Sequence, residues 1–310
     1  MKLLNQYLRE QFGCKVYKIA INGGFTCPNR DGTIDTRGCI FCSGYGSGDF
    51  AEDASKSVFE QIEDGKKRVE AKMPSKGKNG KENGKYIAYF QAFTNTYGPV
   101  ERLRTLYMDA VSHPDVVCIS IATRPDCLGK GVLSLLSEIN KIKPVWVELG
   151  LQTIHEKSAE YIRRGYDLSV YDKAVKDLNN IGIETITHVI LGLPGERRED
   201  MLETVRYVAE SGSKGIKLQL LHVIEGTDLA KDFRAGNFKC MSMDEYVDLI
   251  YECVKILPDD MVIHRMTGDG ARKTLIAPLW SLDKKRVLNA INHRISVLNN
   301  PKLVSDNGKE

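Results

Sequence analysis

The sequence predicts an α/β protein, a partial (β/α)6-type barrel with a C-terminal α/β extension. Three observations predict it. Short β-rich runs alternate with helix-period stretches along most of the 310 residues. Those runs are almost continuously apolar, as strands of a parallel sheet covered on both faces must be. The unusual residues, cysteines and polar glycine-containing stretches, fall just after the apolar runs, where α/β proteins build their sites. A doubly wound open sheet is the competing arrangement.

The elements follow in order. An amphipathic opening (Leu3, Leu4, Tyr7, Leu8) leads to VYKIAI, 16–21, a first strand. A cysteine loop comes next, then a helix from about 55 to 71. KMPSKGKNGKENGK, 72–85, is too polar and glycine-rich to pack and reads as a flexible insertion. YIAYFQAF (86–93) precedes a helix near 99–111, and VVCISIAT (116–123) one near 131–141. VWVELGLQ (145–152) precedes helices around 155–163 and 169–181. ETITHVILGLP (184–194) precedes 198–211, and GIKLQLLHVI (215–224) precedes 243–256. MVIHRM (261–266) reads as a last strand before a helix near 283–298. The expected organisation is a core over 1–230 and an extension over 231–310 that completes the barrel mouth.

A hydrophobic content of 42% with 27% charged residues supports a sizeable core. The net charge of +3 tolerates a nucleic-acid partner without requiring one. No apolar run reaches the roughly 18 residues of a membrane span. The opening segment carries Arg9 and Glu10 and has no small-residue cleavage site, unlike a secretory signal. The expected location is cytoplasmic, where thiols stay reduced, so the eight cysteines read as ligands, catalytic groups or core residues.

CPNRDGTIDTRGCIFC, 27–42, holds three of them in a C-x11-C-x2-C pattern. Cys39 and Cys42 share one small turn, where both sulfurs can reach a metal or a cluster edge. Half of a zinc knuckle is one reading, but structural zinc wants four ligands. No second C-x2-C or H-x3-H pair exists, which leaves distant Cys14 or a histidine; His113 and His155 stand alone in different units. A [4Fe–4S] cluster also normally takes four cysteines. Three leave one iron open to an external ligand. Cys118, in an apolar strand, and Cys253, on an apolar helix face, read as core.

The order of loop motifs adds to this. TRPD (123–126), ELGLQT (148–153), RRGY (163–166) and HVILGLPGE (188–196) follow the cysteine loop. Together they resemble the radical S-adenosylmethionine (SAM) superfamily, in the branch of the Elp3-type tRNA enzymes and the oxygen-independent coproporphyrinogen dehydrogenases. NRDG inside the stretched loop, FQAFTNTY and TRPDCL are closer still to the YhcC/YtqA family, whose Gram-positive members are called MnmL. The superfamily's usual spacing is C-x3-C-x2-C, so the first gap is stretched here.

The resemblance implies cofactors and site residues. Cys27, Cys39 and Cys42 would ligate a [4Fe–4S] cluster whose open iron takes SAM, and Phe41 would lie against the adenine. Gln152 and Glu148 would contact the SAM methionine or ribose; a Glu148 paired with a nearby Lys or Arg is the alternative. Arg164 would offer its planar fork to the SAM carboxylate, while Arg163 points elsewhere. His188 would contact the ribose. Gln91, Thr94 and Asn95 stand where the superfamily's Gly-rich segment binds the methionine amino group. Ala122 replaces an acid found in relatives, leaving Thr123 or Arg124 at the site. Reductive cleavage of SAM would give a 5′-deoxyadenosyl radical that abstracts a substrate hydrogen.

For the substrate, GKKRVEAK (65–72) with the Lys-rich break, and Lys284, Lys285 and Arg286, suit a phosphate backbone, though such runs are commonly solvated surface. MnmL-type relatives imply tRNA wobble uridine as substrate. The reaction takes 5-carboxymethylaminomethyl-(2-thio)uridine to the 5-aminomethyl form, which a tRNA methyltransferase can then methylate. An electron donor such as flavodoxin or ferredoxin is the other implied partner. A small metabolite of the coproporphyrinogen type is the second reading, and a non-catalytic metal-stabilised RNA-binding protein the third.

Overall fold

The structure, a computed structural model, describes residues 1–46, 48, 51–70, 84–268, 270 and 272–299. The flexible insertion expected at 72–85 lies outside these residues as far as 83.

The chain runs β1 (Lys2–Leu3), α1 (Leu4–Phe12), β2 (Val16–Ile21), α2 (Val58–Glu70), β3 (Lys85–Phe90), α3 (Val100–Ser112) and β4 (Val116–Thr123). It continues with α4 (Lys130–Asn140), β5 (Val145–Gln152), α5 (Glu156–Tyr161), α6 (Leu168–Asn180), β6 (Glu184–Leu191), α7 (Arg198–Glu210) and β7 (Gly215–Leu220). Last come β8 (Val223–Ile224), α8 (Asp228–Arg234), α9 (Met243–Ile256), β9 (Val262–Arg265), β10 (Leu275–Ala277) and α10 (Lys284–Asn299).

Eight strands form one sheet in the order β1-β9-β7-β6-β5-β4-β3-β2, every neighbouring pair parallel. Strand residues alternate between its faces. Ile19, Phe90, Val147, Val189 and Leu218 face the helices in one large core, whereas Lys18, Tyr89, Glu148, His188 and Lys217 face inward. That inner face proves the curl. β2 and β7 are five strand spacings apart, about 24 Å if flat. Yet Lys18 of β2 and Lys217 of β7 both bond the Glu148 carboxylate on β5. Only a sheet closed into a half-barrel brings them together.

One expectation needs correction. GIKLQLLHVI is not one strand: β7 ends at Leu220, and β8 pairs antiparallel with β10 in a separate two-stranded sheet. The expected core ends at residue 230. That position lies inside α8, and β9, from the expected extension, is inserted in the main sheet between β7 and β1.

Candidate active site in the half-barrel

All the parallel strands β2 to β7 end toward one rim, and the loop after β2 folds over it. Its first turn is closed by Arg30 N and Asp31 N donating to Cys27 O (2.8 and 3.2 Å), its second by Cys42 N donating to Cys39 O at 3.0 Å. The eleven residues between Cys27 and Cys39 fold on themselves. Asn29, fully buried, donates to Arg163 O at 2.7 Å and to Cys39 Sγ at 3.4 Å. Arg30 reaches the far turn, donating to Cys42 O (2.9 Å) and Ser43 O (2.7 Å). Gly38 makes room for it: at φ +76°, any Cβ there would meet Arg30 Nε at 2.9 Å. Asp31 is exposed and only turns the loop, accepting from Thr33 N at 3.1 Å. Ile40, between the cysteines, is buried in a small core with Ile162, Leu193, Val223 and Leu229. This anchors the Cys39–Cys42 turn to the barrel and to α8.

Cys27, Cys39 and Cys42 line one cavity of about 200 Å³. The arrangement fits a three-sulfur metal centre. Burial, then Cys42, pushes the Cys39 thiol up to about 12, and a bound cation would favour its thiolate. Arg124 acts on Cys39 with the opposite sign; it is forked onto Asp126 (2.9 and 2.7 Å) and stacked over Tyr166. Zinc completed by Cys14 does not fit. Cys14 precedes β2 and Cys27 follows it, roughly 20 Å apart along a six-residue strand. His113 is turned to Glu63, and His155 to Asp200 O. Cys118 and Cys253 are buried core residues.

Of the residues expected at SAM, Phe41, Gln91, Thr94, Thr123, Glu148, Gln152, Arg164 and His188 line this cavity with the cysteines. Asn95 does not. It is buried behind the wall, its amide tying Phe90 O (3.1 Å) to Ala122 O (2.9 Å) and so holding β3 to β4, while its Oδ1 is buried without a hydrogen bond. Arg164 donates through Nη1 to Thr153 O (2.7 Å) and through Nε to Tyr166 O (3.0 Å). Its Nη2 is buried without a hydrogen bond, 3.8 Å from Glu156. An unspent guanidinium donor on the cavity wall fits a carboxylate-bearing ligand. Arg163 instead pairs with Asp228 at 2.8 Å.

Gln152 ends β5 after a register shift, at φ +71°. A non-glycine residue held there is a strained feature of the kind that collects at ligand sites. Its amide folds over Gly150, where a Cβ would meet Gln152 Nε2 at 2.8 Å. Gly150→Ala is therefore expected to push the Gln152 amide off the wall and raise the KM for SAM several-fold, with the melting temperature little changed. A KM equal to the parent's would remove Gln152 from the binding set.

Glu148 is the alternative the sequence left open, a carboxylate paired inside the protein. Fully buried, it accepts from Lys18 (2.7 Å), Ser120 (2.6 Å), His188 (2.8 Å) and Lys217. Burial alone would raise its pKa; Lys18 and Lys217 overcome this and hold it well below the carboxylate range. It organises charge instead of offering a vacant acceptor. His188 spends Nε2 on it, and burial holds that ring down at about 4, hence neutral. Lys18, Tyr89, Lys217, Gln219 and Arg265 are site residues the sequence reading missed. Their signal was polar residues at alternate, inward positions of apolar strands.

Tyr89, Gln91, Lys217, Gln219 and Arg265 also line a second, larger cavity of about 670 Å³ that opens outward past β9 and α10. The two cavities share this wall.

Comparison with known proteins agrees with this geometry. The model described as "Radical SAM superfamily" matches residues 27–208, and that described as "Radical_SAM C-terminal domain" matches 213–296. The chain is 47% identical over 292 residues to YtqA of Bacillus subtilis, covering 94% of this chain and 88% of that protein. It is 28% identical over 156 residues to a tRNA uridine(34) acetyltransferase of Methanocaldococcus jannaschii, covering 49% of this chain and 28% of that one. Its fold is similar to the solved archaeal Elp3 of Methanocaldococcus infernus, with a TM-score of 0.64 at 17% identity, over 90% of this chain and 63% of that one.

Proposed function

The chain belongs to the radical SAM superfamily and, within it, to the YhcC/YtqA family; from this we propose that it modifies the wobble uridine of tRNA. The proposed reaction takes 5-carboxymethylaminomethyl-(2-thio)uridine to 5-aminomethyl-(2-thio)uridine. A hydrogen leaves the carboxymethyl carbon, that carbon gives up one further electron, and water then splits its bond to nitrogen and releases the two-carbon acid as glyoxylate. Enzymes of this superfamily bind a [4Fe–4S] cluster and SAM, which together supply a 5′-deoxyadenosyl radical. We place the cluster on Cys27, Cys39 and Cys42, and SAM against Phe41, Gln152 and the free Arg164 donor. Gln91, Thr94, Thr123 and His188 are the remaining wall. The protein's own work is to aim, orient and exclude water.

The observation that carries the substrate reading is the wall that the two cavities share. The substrate takes the larger one, which adjoins the cysteine chamber across that wall and whose outer rim carries exposed Arg272 and Lys284. Those cations suit RNA phosphates, while only a slender base substituent fits the inner wall. The partial similarity to a tRNA uridine(34) acetyltransferase supports the same substrate. The other basic run does not add to it: Lys66, Lys67 and Arg68 are paired with Glu63 and Asp115, Asp64, and Glu52. An external one-electron donor of the flavodoxin or ferredoxin type would complete the reaction.

Nucleoside mass spectrometry of tRNA from a deletion strain tests this. The carboxymethylaminomethyl nucleoside should accumulate, and the aminomethyl form with its methylated descendant should fall. An unchanged profile would remove tRNA. A metabolite of the coproporphyrinogen type then becomes the stronger reading, because a cavity of about 670 Å³ also suits a small polycarboxylate.

A further inference from the structure

At the wall between the two cavities two ammonium groups share one carboxylate. Lys217 is buried at its centre, bonded to Glu148 and to Tyr89 Oη (3.2 Å). Glu148 is shared with Lys18, so one carboxylate serves two ammonium groups. A register shift in β9 then brings Arg265 to the same wall. Ile263 pairs with Ile216, but Arg265 pairs with Lys217, and the skipped residue is His264. Bulges of this kind re-aim side chains at functional sites, and this one sets Arg265 directly opposite Lys217. Like charges so placed oppose folding. Burial, then Lys18 and Arg265 against the partial help of Glu148, lowers Lys217 to about 7.

No aspartate or glutamate among the described residues lines the larger cavity. Its cations are graded by depth: Lys217 buried, Lys18 and Arg265 half-buried, Arg272 and Lys284 exposed. Phosphates of an RNA backbone can meet the last two but are too bulky to reach Lys217. We propose that Lys217 and Arg265 form a binding site for a single carboxylate on the substrate's reactive substituent, placed at the wall next to the cysteine chamber. The proposal rests on the tRNA reading above and sharpens it: the same charges that hold a carboxymethylamino group repel the aminomethyl product. Recognition of substrate and ejection of product become one electrostatic device.

Binding of free nucleosides to the cluster-reconstituted enzyme with SAM, measured by calorimetry, tests this without RNA. The probes are 5-carboxymethylaminomethyluridine, its methyl ester and 5-aminomethyluridine. The parent should prefer the carboxylate over the ester by roughly tenfold or more, the scale of one charge-assisted contact, and disfavour the amine further. Arg265→Gln should abolish most of that preference with iron content unchanged. Lys217→Met should do the same, and Arg265→Gln serves alone if that variant misfolds. Equal binding of carboxylate and ester, or no binding of any probe, overturns the proposal. An altered tRNA profile in the deletion strain would then still support the RNA reading. Conversely, a carboxylate preference with an unaltered profile keeps the anion site and removes the RNA.

Discussion

Cys39→Ala and Cys42→Ala proteins, reconstituted anaerobically, are expected to fold like the parent but to lose the iron–sulfur absorbance. Release of 5′-deoxyadenosine from SAM under dithionite should fall at least ~100-fold, since even outer-shell changes at metal sites reach that size. Folding should survive because Ile40, not the sulfurs, anchors the turn in its small core. Cys14→Ala and Cys240→Ala should keep both the iron and the cleavage. Cys14 packs with Leu4, Tyr7 and Phe12 at the far end of β2, and Cys240 lies at the edge of the Ile40 cluster, outside the lining of the sulfur cavity. Parent-like iron in both Cys39 and Cys42 variants, or its loss in Cys14→Ala, would reject the three-sulfur assignment.

The sheet was legible because its signal is local. An apolar run such as VVCISIAT or VWVELGLQ declares its own strand, and β4 and β5 take those bounds. The sulfur loop was legible for the same reason. What escaped depends on curl. Lys18 and Lys217 sit in strands that read as ordinary, and their meeting at Glu148 follows only once five strand spacings close into a half-barrel. β9 escaped likewise: its place between β7 and β1 is a long-range choice that no stretch of MVIHRM records. Asn95 shows a different limit. A polar residue after β3 fits a ligand contact and a strand clamp equally well by type, and its buried bonds to Phe90 O and Ala122 O, which show the clamp, depend on how β3 and β4 pair.

Glu148→Gln is expected to destabilise the apo protein by about 3–5 kcal/mol, the cost of stranding a buried charge by removing its partner. The exchange is nearly isosteric, so packing alone predicts a loss below about 1.5 kcal/mol, and urea midpoints separate the two. Adding Lys217→Met to the variant should recover part of the loss, because one stranded ammonium is then gone. The pH dependence has a definite sign. Burial first holds folded Lys217 at about 7 against an ordinary 10.5. Between those values the unfolded chain binds the extra proton, so this residue's contribution to stability rises with pH across that window. Without Glu148 the folded value drops further, the window widens on its acid side, and the penalty of Glu148→Gln should shrink as pH increases. A loss under about 1.5 kcal/mol at pH 7, unchanged by Lys217→Met, would mean that Glu148 is a spacer and not the hub of the barrel's charge.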